Sequence, residues 1–359
     1  MTEATGGAGL DGPMLGRALS IAGLTVDGSS SALSVLAGRF MRLNAHQKRH
    51  YEANWAELLN RLERVLDAAA SAADVLAEMD PPPESDGLVS AFIRRQSFPV
   101  RIAPGAFVPK PGHLVVVSDG RYRQAPRAAC RDERYRDAVV AAIDPRVDAV
   151  VELGCGWGRN LAAIAARLGR PDLHYVGAEQ SHSGRQAAQA LMAKPGGGRF
   201  TAAAFDFYAP DFSFLEGLKN PVIFSCAAVE QIAFLPPSFL VDLAKRAPGC
   251  RLVLFEPFGW QADAALAQAT LGRCLTAVRD NAPLSAIAER YRFDLDDAVL
   301  NANASVWALC CCYNMNLFSL IRRGEADGLF AIEELVLNQA GSNLFNPYSL
   351  AVLRIASDA

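Results

Sequence analysis

The run Val150-Val151-Glu152-Leu153-Gly154-Cys155-Gly156-Trp157-Gly158-Arg159-Asn160 decides how this chain is read. Residues Ala149 to Leu153 form a short apolar stretch broken by one acid, and glycine then recurs at every second position before a helical pattern begins. A strand that enters a helix through such a turn offers bare backbone to a ligand, because glycine tolerates unusual dihedrals and leaves no side chain in the way. The free N–H groups at the start of the following helix point at the same place.

Outward from this turn the pattern is regular. A helix is expected over Asp132 to Ile143 before it, and a helix over Asn160 to Leu168, closed by Gly169, after it. There follow a strand His174 to Ala178, a helix Ser183 to Ala193 and a strand near Thr201 to Phe205. A strand Val222 to Cys226, a helix near Ser238 to Arg246 and a strand Leu252 to Phe255 complete the series. Strands alternating with helices imply βαβ units and a mostly parallel sheet covered on both faces. The end of the chain changes character: Ala331 to Leu337 and Tyr348 to Ile355 read as two strands joined as a hairpin instead of by another crossover. Between the last crossover and this hairpin lies a mostly helical insert, about 262–329, a natural place for substrate recognition because insertions near strand ends carry function.

The pattern Glu-x-Gly-x-Gly-x-Gly from Glu152 to Gly158 resembles motif I of the class I S-adenosylmethionine-dependent methyltransferases. The element order resembles their α/β fold, a Rossmann-like, doubly wound, mostly parallel seven-stranded sheet with a C-terminal antiparallel hairpin. The resemblance covers roughly residues 132–260 and 330–356, and it implies S-adenosylmethionine as cofactor. Residue by residue, it places the turn Gly154, Cys155, Gly156 and Gly158 against the cofactor and Glu152 near its ammonium group. It also places Glu179, at the end of the second strand, on the ribose hydroxyls, and Asp206 on the adenine amino group. Asn160 at the helix start and Phe207 beside Asp206 complete the expected set, with Arg136, on the preceding helix, reaching the cofactor's carboxylate. A dinucleotide fingerprint fits less well, because Arg159 stands where its third small residue belongs and an acid precedes the first glycine.

In this family acceptor groups lie beyond the fourth and fifth strands. Glu230 follows the fourth and Glu256 ends the fifth, so the two carboxylates are the candidate catalytic residues for a cationic or hydroxylated acceptor. The Asn/Asp-Pro-Pro-aromatic motif used on planar amide or base nitrogens is missing after the fourth strand. Small polar metabolites, sugars or peptide-like natural products, methylated on oxygen or nitrogen, are therefore the expected acceptors. The alternatives are a protein methyltransferase that docks its partner through N-terminal helices and a cofactor-binding scaffold without chemistry. His182 reads as a loop or cap residue, and Tyr313, Asn314 and Asn316 as buried groups near the acceptor side.

The rest of the chain bounds these readings. Of 359 residues 51% are hydrophobic and 20% charged, with 35 basic against 38 acidic and a net charge of −3, so no field suited to nucleic acid or an anionic membrane is expected. The eight cysteines include no CxxC pair, which favours a reduced cytoplasmic setting over a disulfide framework. Cys310, Cys311 and Cys312 splay by about 100° each on a helix, so core packing and no metal site are expected. Ala304 to Ile321 reads as one buried helix and not a membrane span, since it carries Asn314 and Asn316. Residues 1–87 read as a tail and helical region, 88–131 as a small irregular β element, and 132–359 as the cofactor-binding domain. Met1 to Asp11 lacks the basic and apolar regions of a signal peptide. A helix from Gln47 to Met79, with Trp55, Leu59, Leu62, Leu66, Ala69, Ala73 and Leu76 on a narrow seam, is broken at Asp80–Gly87 by three prolines. Ser31 to Leu43 is a candidate partner helix. The seam could serve a homodimer, an internal pair or a lid.

Overall fold

Glu152 stands in a strand whose every residue is buried, β4 (Ala149–Leu153). Alternation along this strand sends Val151 and Leu153 to one face of the sheet and Val150 to the other, where separate apolar clusters cover them. The computed structural model describes residues 10–21, 30–79, 100–104, 109–126, 134–280, 282–341 and 343–357. Residues 1–9 of the expected tail, the proline-rich break at 80–87 and Glu133 lie outside the described residues.

Five parallel strands carry the core of the sheet: β4, β5 (His174–Glu179), β6 (Arg199–Ala204), β7 (Pro221–Cys226) and β8 (Arg251–Glu256). The closing hairpin is β10 (Phe330–Gly341) and β11 (Tyr348–Ile355), with β11 antiparallel to β8. A second hairpin, β2 (His113–Ser118) and β3 (Arg121–Pro126), joins the edge through β10. The order across the sheet is β3-β2-β10-β11-β8-β7-β4-β5-β6. Within it the seven strands from β10 to β6 have the order implied by the resemblance, so the expected fold is present and extended from seven strands to nine. Asp119 (φ 51°) and Gly120 (φ 72°) both take the left-handed region between β2 and β3, the geometry of a two-residue hairpin turn. A separate pair, β1 (Arg101–Ile102) with β9 (Arg292–Phe293), ties the β-rich segment to the insert.

Crossover helices α4 (Arg134–Ala142), α5 (Arg159–Leu168) and α6 (His182–Met192) lie over one face. Helix α7 (Phe239–Arg246) and the insert helices α8 (Ala264–Arg279), α9 (Ser285–Arg290), α10 (Leu300–Cys311) and α11 (Leu317–Ala326) lie over the other. The stretch expected as one helix from Ala304 to Ile321 is two, because Cys312 adopts φ 55° and the turn to Asn316 breaks the hydrogen-bond ladder. Asn314 and Asn316 spend their amides on the backbone of Ile232 and Leu235. Cys312 is buried, and Cys310 and Cys311 pack against the same cluster. Among the described residues no helix is long and apolar enough to cross a membrane.

The N-terminal region differs most from expectation. Ser31 to Leu43 is not a separate partner but the first third of one 39-residue helix, α2 (Ser30–Ala68); α1 (Gly12–Ile21) and α3 (Ala72–Met79) flank it. The expected helix to Met79 is interrupted between Ala68 and Ala72, where Lys194 Nζ donates to Ala69 O (3.1 Å) and Ala72 N to Pro195 O (3.0 Å). Leu36, Ala37 and Phe40 of α2 are buried in the cluster on one face of the sheet, and Leu62 is buried in the cluster on the other. The helix therefore passes from one face to the other, and its middle crosses the end of the sheet. Of the seam residues, Trp55, Leu59, Leu62, Leu66, Ala69 and Leu76 pack within the chain, an internal pairing, whereas Ala73 is exposed.

Candidate functional site

A carboxylate in the middle of a fully buried strand has to be compensated or functional, since removing it from water is costly. Glu152 is 1% exposed. Asn160 Nδ2, in the first turn of α5, donates to its Oε1 at 2.6 Å, and Tyr135 Oη of α4 donates to Asn160 Oδ1 at 2.5 Å. The other oxygen, Oε2, has no partner among the described residues. Burial pushes the Glu152 carboxyl up to about 8, against the Asn160 hydrogen bond and the Arg136 and Arg159 guanidiniums, which favour the anion. Arg136, expected to reach the cofactor's carboxylate, is thus near Glu152, and Arg159, read in the sequence only as a departure from a dinucleotide pattern, is near it too. Asn160 acts on Glu152 and, through it, on whatever Glu152 meets.

The three glycines of the turn have different jobs. A Cβ on Gly154 would lie 2.3 Å from Ala228 Cβ and 3.3 Å from Phe207 Cε2, and one on Gly158 (φ 78°) would lie 3.0 Å from Ala188 Cβ. Those two permit close packing against the loop after β7 and against α6. Cys155 turns its thiol toward β5, since a Cβ on Gly177 would come within 2.7 Å of its Sγ. Phe207 sits in an aromatic cluster with Phe205 (4.9 Å) and Phe239 (5.7 Å). Of the expected turn residues, Gly156 (φ 52°) presents its bare side to a foreign element: a Cβ there would lie 2.8 Å from Cζ2 of Trp55 on α2.

Glu179, at the carboxyl end of β5, is 8% exposed and accepts from Gly156 N (3.0 Å) and Ser181 N (2.8 Å). It fixes the turn and retains acceptor capacity on both oxygens. Asp206, beyond β6, pairs with Lys48 Nζ of α2 at 2.7 Å and accepts from Tyr208 N. His182 is exposed at the start of α6, where its N–H and that of Ser183 donate to Glu52 of α2. Lys48, Tyr51, Glu52 and Trp55 thus all meet the site, although sequence reasoning assigned only the seam from Trp55 onward. Their spacing of three, one and three residues continues the seam's helical period upstream, the signal that could have found them.

The two candidate catalytic carboxylates are held differently. The chain leaves β7 through Ala227, held at φ 56°, a strained value for a residue with a side chain. This bend aims three backbone N–H groups at Glu256: its Oε1 accepts from Ser225 Oγ (2.7 Å), Ala228 N (3.0 Å) and Val229 N (3.0 Å), and its Oε2 accepts from Glu230 N (3.1 Å). With these four donors and 1% exposure, Glu256 fixes the loop that carries Glu230. Glu230 accepts from Gln231 Nε2 (2.8 Å) and Asn346 Nδ2 (2.7 Å). Burial, then the neighbouring Glu256, push its carboxyl up to about 8. Tyr51, Tyr313 and Tyr348 all feel its charge, so α2, the insert and the closing hairpin converge on this one carboxyl.

No protein-family model matches the sequence, and no curated protein matches it. Solved structures of similar shape include EvdMO1 (15% identity over 62% of this chain and 41% of that one, TM-score 0.36) and the pyocyanin biosynthetic protein PhzM (14%, 62% and 54%, 0.36). The O-methyltransferase TomG from Streptomyces achromogenes is another (12%, 64% and 83%, 0.34). The match spans about half the length of the first two. At these identities and scores the likeness adds nothing to the strand order already described.

Proposed function

We propose that this chain is a class I methyltransferase that moves a methyl group from S-adenosylmethionine to an oxygen or nitrogen of a small polar metabolite, sugar or peptide-like natural product. The observation that carries the reading is Glu152 Oε2, a buried acceptor without a partner among the described residues, beside a glycine turn whose Gly156 face is covered by the Trp55 side chain of α2. An ammonium group suits that oxygen, vicinal hydroxyls suit the remaining acceptor positions of Glu179, and an amino group suits Asp206 once Lys48 releases it. Arg136 has the charge to hold a carboxylate next to Glu152. When bound, the cofactor supplies a methyl group on a positively charged sulfur, open to in-line displacement.

The chain's own part is alignment, exclusion of water and movement of one proton. Glu230 takes the proton that an O–H or N–H acceptor loses on methylation. Its carboxyl is raised to about 8, so the ionised fraction that accepts the proton grows, and turnover rises, as pH increases toward 8. Gln231 and Asn346 steady its ionised form by donating to both oxygens. Glu256 keeps the loop in place and touches no reactant. The free thiols among the described residues suit a cytoplasmic setting. A homodimer through the N-terminal helices would have to use the outer face of α2, because the seam is buried within the chain.

Methyl-labelled S-adenosylmethionine offered with small hydroxylated or amine-bearing acceptors tests this reading. Label on small acceptors that is lost in Glu230→Gln supports it; label on proteins alone would transfer the reading to a protein methyltransferase. One observation favours the non-catalytic scaffold as a second reading: side chains of α2 already stand in the cleft. Binding of the cofactor with no label transferred to any acceptor, small molecule or protein, would favour that scaffold.

A further inference from the structure

Four side chains of one helix line this cleft, three of them at places where the proposed cofactor would be held: Asp206, Glu179 and Gly156. Lys48 pairs with Asp206 at 2.7 Å, and burial, then the charges of Glu230 and Glu179, push the Tyr51 hydroxyl upward. Glu52 accepts from His182 N (2.7 Å), Ser183 N (3.0 Å) and Ser183 Oγ (2.7 Å) at the start of α6. Trp55 covers Gly156, and its Cδ1 also lies 3.1 Å from where a Cβ on Gly184 would stand. Tyr51 and Trp55 stack on each other with centroids 6.2 Å apart.

We infer that Lys48 and Trp55 belong to the cofactor site itself and occupy its nucleoside half in the ligand-free chain, so that they set its affinity by competition. This rests on the cofactor reading above. The space over Gly156 that a glycine turn reserves for a ligand holds an indole, and the acid expected to receive the adenine amino group holds an ammonium. A ligand enters only by exchanging both contacts for its own. The helix cannot swing away as a body: Phe40 packs edge-on against Phe234 (5.2 Å) and Arg39 donates to Ala282 O at one end, and the Ala69–Ala72 corner is pinned at the other. Glu52 holds the middle on α6. Rotation of the two side chains is what clears the site. Trp55 is half-buried and the Lys48 side chain is 36% exposed, so each has solvent on one side into which to turn.

Competition has an unusual signature, because removing a competitor tightens binding whereas removing a contact weakens it. The apparent dissociation constant is the intrinsic one divided by the open fraction. Calorimetric titration of the full chain, Trp55→Ala and Lys48→Met with S-adenosylhomocysteine reads this directly. The expected result is binding tightened about tenfold by Trp55→Ala, the outcome for an open fraction of about a tenth, and tightened severalfold by Lys48→Met. Trp55→Phe keeps an aromatic ring against the cluster and covers the case in which the alanine variant fails to fold; its affinity is expected to fall between those of the wild type and Trp55→Ala. In protein labelled with 5-fluorotryptophan, the resonance lost in Trp55→Phe is expected to move when the ligand is added. Equal or weaker binding in the Trp55 variants, with the wild type binding, would overturn the competition and leave the cofactor reading intact. No binding by wild type or any variant would remove the cofactor reading and this inference together.

Discussion

Glu152→Gln isolates the group on which the proposed cofactor site depends. The substitution keeps the shape and an oxygen for Asn160 but removes the charge that Oε2 would offer to an ammonium. A hydrogen bond to a charged group contributes about 1.5–3 kcal/mol, so affinity for S-adenosylhomocysteine should fall roughly tenfold to a hundredfold. The proton count gives a second, independent prediction. Burial raises the Glu152 carboxyl to about 8, so at pH 7 the ligand-free group carries its proton, whereas an ammonium beside it favours the anion. Binding at pH 7 should therefore release most of a proton, and affinity should rise with pH through neutrality. Calorimetry at pH 7 in two buffers of different ionisation heat measures the release. Glu152→Gln should abolish both the release and the pH slope. Unchanged affinity in the variant, or no proton release by the wild type, would refute the placement of the ammonium at Glu152.

Other outcomes follow from the same contacts. Tyr135→Phe removes the donor that orients Asn160 and should weaken cofactor binding by about 0.5–1.5 kcal/mol without altering the thermal midpoint by more than a few degrees, as calorimetry and thermal unfolding would show. Glu230→Gln should lower turnover roughly 10²- to 10⁴-fold with cofactor affinity unchanged, whereas Glu256→Gln, which faces three backbone donors with an amide, should be detected first as lost stability in denaturant unfolding. Leu62→Ala, in the buried cluster that α2 shares with α3 and α6, should cost about 2–5 kcal/mol in the same assay. If light scattering of the full chain at micromolar concentration gives a monomer mass, the homodimer falls.

The parallel core of the fold was legible because its signals are local. β4, α5 and the turn between them follow from an apolar run, alternating glycines and Gly169 at the helix end, and the structure has Gly169 there at φ 58°. β3 was not legible: Arg121–Pro126 is polar, with only Tyr122 buried, as suits a strand on the sheet's edge. Glu152 could be singled out as an acid inside an apolar strand. The division of labour between Glu230 and Glu256 could not, because it depends on the bend at Ala227 that turns three N–H groups onto one carboxylate. The crossing of α2 over the strand ends lies at the far limit of such reading. The seam's period shows which residues share a face, but the pairing of Lys48 with Asp206 joins residues 158 positions apart, and no local pattern encodes that distance.

The central claim is the identity of the cofactor, and calorimetric titration of the purified chain with S-adenosylmethionine, S-adenosylhomocysteine and NADH tests it without knowledge of the acceptor. Micromolar binding of the first two and none of NADH is the predicted result. Binding of NADH, or of none of the three by the wild type and the Trp55→Ala variant alike, would contradict it.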